Sequence, residues 1–297
     1  MHRTKALVPG VIADIILPFS NLGEPDWERL GEEVKTLDRA GVSGLCIGGL
    51  LGGTIGSTPE ELGSLCEAVK RASNKPLFAA VFPDASPEAC EMVRAVDGGG
   101  ADAILVSQPH YLAQPDPNGL EQLFADLREL TERPLLVADC LPDSILGVKA
   151  IRQLVHAQLV DGVLEAADMH VLVDLLGLHL EVPVYSGVED LHYLGMVLGA
   201  HGLVSDLACV LPEDSVSLYA AIEEGDHSRA RTIHERLVRV WRAANFGTER
   251  EARLRAALAA RGRNVGAARS PYAQLPSATG EQIRGILRKE NLLLETS

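Results

Sequence analysis

Eight short runs of apolar and β-branched residues recur along this chain, at Val11–Leu17, Gly44–Ile47, Leu77–Val81, Ala103–Ser107, Leu135–Ala138, Gly162–Leu164, Val182–Tyr185 and Leu203–Leu207. Each of the first seven leads into an amphipathic or alanine-rich stretch before the next begins. A strand that is apolar on both faces must be covered on both, so it belongs in a parallel sheet wrapped by helices. Eight such units in 297 residues favour an α/β fold of the closed (β/α)8 TIM barrel type over an open doubly wound sheet. No Gly-x-Gly-x-x-Gly follows the first run, which weakens a dinucleotide-binding sheet further.

Past residue 211 the alternation stops. Pro212–Glu224, Asp226–Asn245, Glu249–Arg261 and Thr279–Leu292 read as helices with no strand between them. Gly225, Gly247 and Gly262 stand where helix ends accept a left-handed residue. Asn264–Ser277, with two prolines, reads as an extended connection. The expectation is a barrel over residues 1–211 and a C-terminal helical extension over 212–297 packed against it.

The formal net charge of −14 opposes binding to nucleic acid or an anionic membrane surface. No apolar run is long enough to span a bilayer. The first residues, Met1 to Leu7, have no apolar signal core, so a cytoplasmic protein is expected. The five cysteines (Cys46, Cys66, Cys90, Cys140, Cys209) are widely spaced and include no Cys-x-x-Cys pair. They read as reduced thiols, and neither a metal site nor a cofactor is expected.

Ordered motifs run from end to end. Gly10-Val-Ile-Ala-Asp-Ile-Ile-Leu-Pro-Phe19 opens the chain, and Gly98-Gly-Gly100 runs straight into Ala101-Asp-Ala-Ile-Leu-Val106. Pro109-His-Tyr111, Ser186-Gly187, Gly199-Ala-His-Gly-Leu-Val-Ser205 and Arg269-Ser-Pro-Tyr272 follow in turn. In order and spacing these resemble the dihydrodipicolinate synthase / N-acetylneuraminate lyase family, barrel enzymes that bind pyruvate-type substrates as a lysine Schiff base. The resemblance implies a small-molecule substrate and a homo-oligomer, a dimer or a tetramer.

The catalytic positions depart from that pattern. The family's sixth strand carries the Schiff-base lysine where this chain has Leu164, within Val163-Leu-Glu-Ala-Ala167. Its Gly-Thr-Thr-Gly-Glu loop falls on Gly49-Leu-Leu-Gly-Gly53, so both threonines become Leu50 and Leu51. Its strand-five tyrosine falls on Ala138, and the arginine that follows is missing from Cys140-Leu-Pro-Asp-Ser-Ile145. Tyr111 remains, and in the family it reaches a neighbouring subunit's site. None of the six lysines (Lys5, Lys35, Lys70, Lys75, Lys149, Lys289) falls at the C-terminal end of a strand, where barrel active sites open.

Two acids are candidates to replace that chemistry. Asp14 stands on strand one where the family has a small residue, Asp206 on strand eight shares side-chain parity with Val204, and strands one and eight become neighbours when a barrel closes. Two carboxyls in an apolar pocket cannot both ionise cheaply, so one holds a proton and the pair supplies an acid and a base. The competing expectation has each aspartate capping a loop or pairing with an arginine. His110 and Tyr111 are the other catalytic candidates, although a histidine there also suits a subunit contact. Leu17, Leu50, Leu51, Gln108, Ala138, Leu164, Ser186 and Val204 are expected to contact substrate. Asp139 and Glu165 have the opposite parity, which assigns them loop or ion-pair roles. Cys140 and Cys209 are candidates for the rim.

Two functions follow. The first is a lyase- or cyclase-type enzyme that works on an apolar small molecule by non-covalent acid–base catalysis. The alternative is a catalytically inactive paralogue that binds a metabolite or regulates an active homologue. Carboxylates placed in a barrel core, where desolvation is costly, favour the enzyme.

Overall fold

Burial on both faces closes the sheet. In the computed structural model, which describes residues 7–109, 114–141, 143–245, 249–272 and 274–293, eight parallel strands form a closed barrel in the order β1 to β8. They are β1 (Gly10–Asp14), β2 (Gly44–Ile47), β3 (Leu77–Val81), β4 (Ala103–Val106), β5 (Leu135–Asp139), β6 (Gly162–Glu165), β7 (Val184–Ser186) and β8 (Gly202–Ser205). Strand β1 pairs with β2 on one side and with β8 on the other, Ile12 lying opposite both Gly44 and Val204. The (β/α)8 architecture expected from the apolar runs is the one present.

Alternate residues separate two cores. Val11, Ala13, Leu45, Val137 and Val163 point outward and pack under the surrounding helices. Ile12, Cys46, Phe78, Leu136 and Tyr185 point inward and fill the barrel. The Tyr185 hydroxyl donates to the Val8 carbonyl at 2.9 Å, which satisfies it in that apolar interior.

Helices α1 (Trp27–Ala40), α2 (Pro59–Ala72), α3 (Ser86–Gly98), α4 (Pro117–Arg128), α5 (Gly147–His156), α6 (Met169–Gly177) and α7 (His192–Val197) follow the first seven strands. Several start on the caps their sequence supplies: Asp26, Thr58, Asp116 and Asp168 each accept a backbone N–H of the first turn.

After β8 the chain forms α8 (Leu207–Val210), α9 (Pro212–Glu223), α10 (His227–Ala244), α11 (Arg250–Ala260) and α12 (Ser277–Lys289). Gly225 and Gly262 take positive φ (73° and 80°) at the ends of α9 and α11, the left-handed geometry expected of them. Gly247 lies outside the described residues. Leu237, Val240, Leu254, Leu258 and Leu287 build a third core that also buries Ile16 from the barrel. Arg263, just past α11, pairs with the buried Glu33 of α1 and donates to the Cys209 carbonyl at 2.7 Å. Both contacts tie the helical tail to the barrel. Among the described residues no helix is long and apolar enough to cross a membrane.

Most strand ends lie within one residue of expectation, and the differences at β1, β7 and β8 bear on the candidate residues. Strand β1 stops at Asp14 instead of continuing to Leu17, because the Leu17 N–H turns away to the Gly52 carbonyl at 2.8 Å. Strand β7 starts and ends later, at Val184–Ser186. Strand β8 stops at Ser205, whose hydroxyl caps α8 by accepting the Ala208 N–H at 3.0 Å. Asp206 is therefore not a strand residue as its parity argument assumed, but the first residue beyond β8, with helical backbone angles.

Candidate active site

The C-terminal ends of the strands surround a cavity of about 340 Å³, within the usual range for a small-molecule site. Leu50, Leu51, Ala138, Leu164 and Val204 all line it. Phe82 and Leu105 extend the apolar wall. Trp241, Asn245 and Arg250 reach it from the extension, so the helical tail forms part of its mouth. No lysine lines it among the described residues. Lys70 is bound to Asp102 at 2.8 Å, and Lys35, Lys149 and Lys289 lie on helices.

Asp14 and Asp206 meet in this cavity. Closure of the barrel sets Asp14 beside the exit of β8, and the two carboxyls hydrogen-bond to each other. Asp14 also faces Cys46, its register partner on β2, and accepts the Gly49 N–H. A methyl group on Gly49 would overlap the Asp14 carboxylate, so glycine is what leaves room for the acid there. Asp14 Oδ1 and Asp206 Oδ1 are both buried without a hydrogen-bond donor among the described residues. One proton shared between the carboxyls accounts for that arrangement, because a buried oxygen without a donor is costly.

Burial is the main cause of the perturbed acidity of both groups. It raises Asp14 to about 6, against the opposing effects of the Cys46 thiol, the Asp206 carboxyl and the Gly49 N–H. Asp206 is pushed well above the ordinary carboxylate range by burial and then by the charges of Asp14 and Glu189. Burial thus favours a proton on the pair near neutral pH, and more strongly on Asp206 than on Asp14. An acid and a base so poised match what proton transfer near pH 7 requires.

The acidic feature is larger than the sequence suggested. Glu189, in the 3₁₀ turn Glu189–Leu191 after β7, also lines the cavity and is only 7% exposed. Its carboxylate accepts Ser205 Oγ at 2.8 Å, His192 Nε2 at 3.1 Å and the Leu207 N–H at 3.1 Å. Strand periodicity could not find it, because it follows the end of β7. Its one sequence signal is an acid just after Ser186-Gly187, with a histidine three positions on.

Other candidates are placed elsewhere. Leu17 packs in the outer core under the helices and does not border the cavity, because β1 ends before it. Ser186 faces outward against Gly195 of α7, since it is the last residue of β7 and shares parity with Val184. Gln108 is held by the backbone and hydroxyl of Ser144, and it braces two loops without lining the cavity. Cys140 lines the cavity, whereas Cys209 is buried against the Ile16 N–H. His110 and Tyr111 lie outside the described residues. Among the described residues no group of three or more possible ligands is arranged for a metal ion.

Asp139 and Glu165 form a second acid pair. They are register partners on β5 and β6, outward-facing by strand parity, and they hydrogen-bond to one another with no basic partner among the described residues. Asp139 accepts the Leu146 and Gly147 N–H groups, and Glu165 those of Ala167 and Asp168. Burial and then the Asp139 charge raise Glu165 to about 8. The pair thereby anchors two loops, one carrying Cys140 and the other Ala166 and Ala167, that wall the cavity.

A fold of this kind hosts many chemistries, so relatives must be found by sequence. The model of the dihydrodipicolinate synthetase family matches residues 7–290. The chain belongs to that family. It is 28% identical over 288 residues to a 4-hydroxy-tetrahydrodipicolinate synthase of Methanothrix thermoacetophila, covering 94% of this chain and 96% of that one. It is 30% identical over 302 residues to the enzyme of the same name from Methanopyrus kandleri, covering 97% and 98%. The crystal structure of dihydrodipicolinate synthase from Aquifex aeolicus superimposes with a TM-score of 0.88 at 26% identity, over 97% of this chain and all of that one. Family membership and fold thus agree with the resemblance carried by the ordered motifs.

Proposed function

We propose that this family member is an enzyme that works without a lysine Schiff base, using Asp14 and Asp206 as a non-covalent acid–base pair. The observation that carries this reading is the lining of the cavity. The inward position of β6 holds Leu164, no described lysine borders the cavity, and a hydrogen-bonded carboxyl pair occupies it instead. Schiff-base formation needs a desolvated amine of lowered pKa, and the helix lysines sit in no such environment.

The substrate class follows from the same lining. Leucines, Ala138, Phe82 and Val204 favour an apolar body, and the paired acids favour a basic or proton-accepting group. A small keto acid would bring its carboxylate toward Asp14 and Glu189, with Leu50 and Leu51 offering it no hydroxyl. A lyase- or cyclase-type proton transfer within one small molecule fits this arrangement. A reducing cytoplasmic setting and self-association complete the proposal. The thiols described are all free.

Borohydride reduction in the presence of pyruvate should leave the protein's mass unchanged. A stable adduct on any lysine would overturn the reading. In thermal-shift measurements a short alkylamine should stabilise the protein and pyruvate should not, and the amine effect should vanish in Asp14→Asn.

A further inference from the structure

The two residues that flank Asp206 are both bound by one side chain. Ser205 donates its hydroxyl to Glu189 Oε2 at 2.8 Å, and Leu207 donates its N–H to Glu189 Oε1 at 3.1 Å. Glu189 is itself fixed by His192 Nε2 at 3.1 Å, and His192 is 4% exposed. Few arrangements hold a side chain more firmly than a bridge across its own chain neighbours. Asp206 stands off the end of β8, so the strand ladder does not hold it in place.

We propose that Glu189, backed by His192, is the positioning residue of the acid pair, gripping Ser205 and Leu207 so that the Asp206 carboxyl stays against Asp14. Its role rests on the reading of Asp14 and Asp206 as the working pair, but its geometry can be tested without any substrate. Glu189 has a second effect because it carries charge. It faces the same cavity, and its carboxylate disfavours ionisation of both aspartates. A glutamate serving only to cap a turn would not need to face the cavity.

Few other groups act on the pair. Cys46 faces it from β2, and the Gly49 N–H from the loop after that strand. Asp190 and Arg250 also line the cavity. His192 stands behind Glu189, and His234 of α10 lies next to His192 and the Asp190 backbone. Loss of the Glu189 charge should therefore be felt directly in the titration of Asp14.

The experiment follows side-chain carboxyl carbons by NMR in protein labelled with ¹³C-aspartate, with Asp14 assigned by its absence from Asp14→Asn. In Glu189→Gln the amide can still accept the Leu207 N–H and donate to Ser205 Oγ, so the grip is kept while the charge is lost, and the Asp14 midpoint should fall by on the order of one pH unit. Ser205→Ala keeps that charge and cuts one arm of the grip. Asp206 should then drift, Asp14 should lose a stabilising hydrogen bond, and its midpoint should rise. Amide exchange at Leu207 should quicken in the same variant. If Glu189→Gln does not fold, Ser205→Ala alone decides. Unmoved Asp14 midpoints in the folded variants would overturn the proposal. Absence of any enzyme activity would refute the functional reading and leave this one standing.

Discussion

Replacing Asp14 by asparagine should stabilise the protein at alkaline pH and hardly change it at acid pH. The side chains have nearly the same size, and an amide can still accept the Gly49 N–H and donate toward Asp206. What changes is the charge. An exposed aspartate ionises near 3.8, whereas Asp14 in the folded protein is raised to about 6, chiefly by burial. The folded state therefore holds the proton more tightly than the unfolded chain. Stability is full below the unfolded value and is lost as pH rises through about 6. Two pH units, at about 1.4 kcal/mol each, make the loss about 3 kcal/mol by pH 8 and well under 1 kcal/mol at pH 4. The Asp14→Asn variant, having no acid at this position, escapes that loss. For a chain of this length the gain at pH 8 corresponds to a rise in Tm of about 5 °C. The assay is thermal unfolding of both proteins at pH 4 and pH 8, with protein concentration held constant because self-association would shift both curves. Equal Tm differences at the two pH values, or a variant less stable at pH 8, would show that Asp14 is not a strained buried acid.

Glu165→Gln should match the parent near pH 4 and exceed it in stability by a margin that widens up to about pH 8, because the unfolded chain's glutamate ionises near 4.5 while the folded one holds its proton to about 8; chemical denaturation at pH 4 and 9 measures this. Gly49→Ala should destabilise by about 1–3 kcal/mol through its overlap with Asp14, and most of that loss should disappear in the Asp14→Gly background. Additive effects in that double-mutant cycle would mean the two residues do not share the space. Glu33→Gln leaves the buried Arg263 without its anionic partner and should cost about 3–5 kcal/mol, read from the urea midpoint.

The fold was legible because its two periodicities are strong. Apolar runs of three to seven residues marked every strand, and the family resemblance singled out Asp14, Ala138 and Leu164, which the structure places along the cavity wall. Parity fails where a strand ends, and that is where the remaining site residues lie. Leu17 and Ser186 were misplaced because β1 and β7 have different ends from those the apolar runs suggest. Asp206 reached the right neighbour for a partly wrong reason, since barrel closure brings it to Asp14 although it has left β8. Glu189 was missed because a 3₁₀ turn has no pattern of its own, and its three hydrogen bonds depend on chain segments that meet only in the folded state.

Trp241, Asn245 and Arg250 come to the cavity from α10, its end and α11, while both aspartates come from the barrel. On the proposed reading, the acid pair and the mouth of the cavity are therefore encoded on separate stretches of the gene. Variation confined to α10 and α11 can reshape the entrance without altering either aspartate. Libraries randomised at positions 245 and 250, which are exposed, should yield altered ligand preference at unchanged fold stability far more often than libraries aimed at the strand ends, whereas Trp241 is also part of the tail's core. Exchange of the whole tail between relatives offers a modular way to give one reactive centre a new clientele.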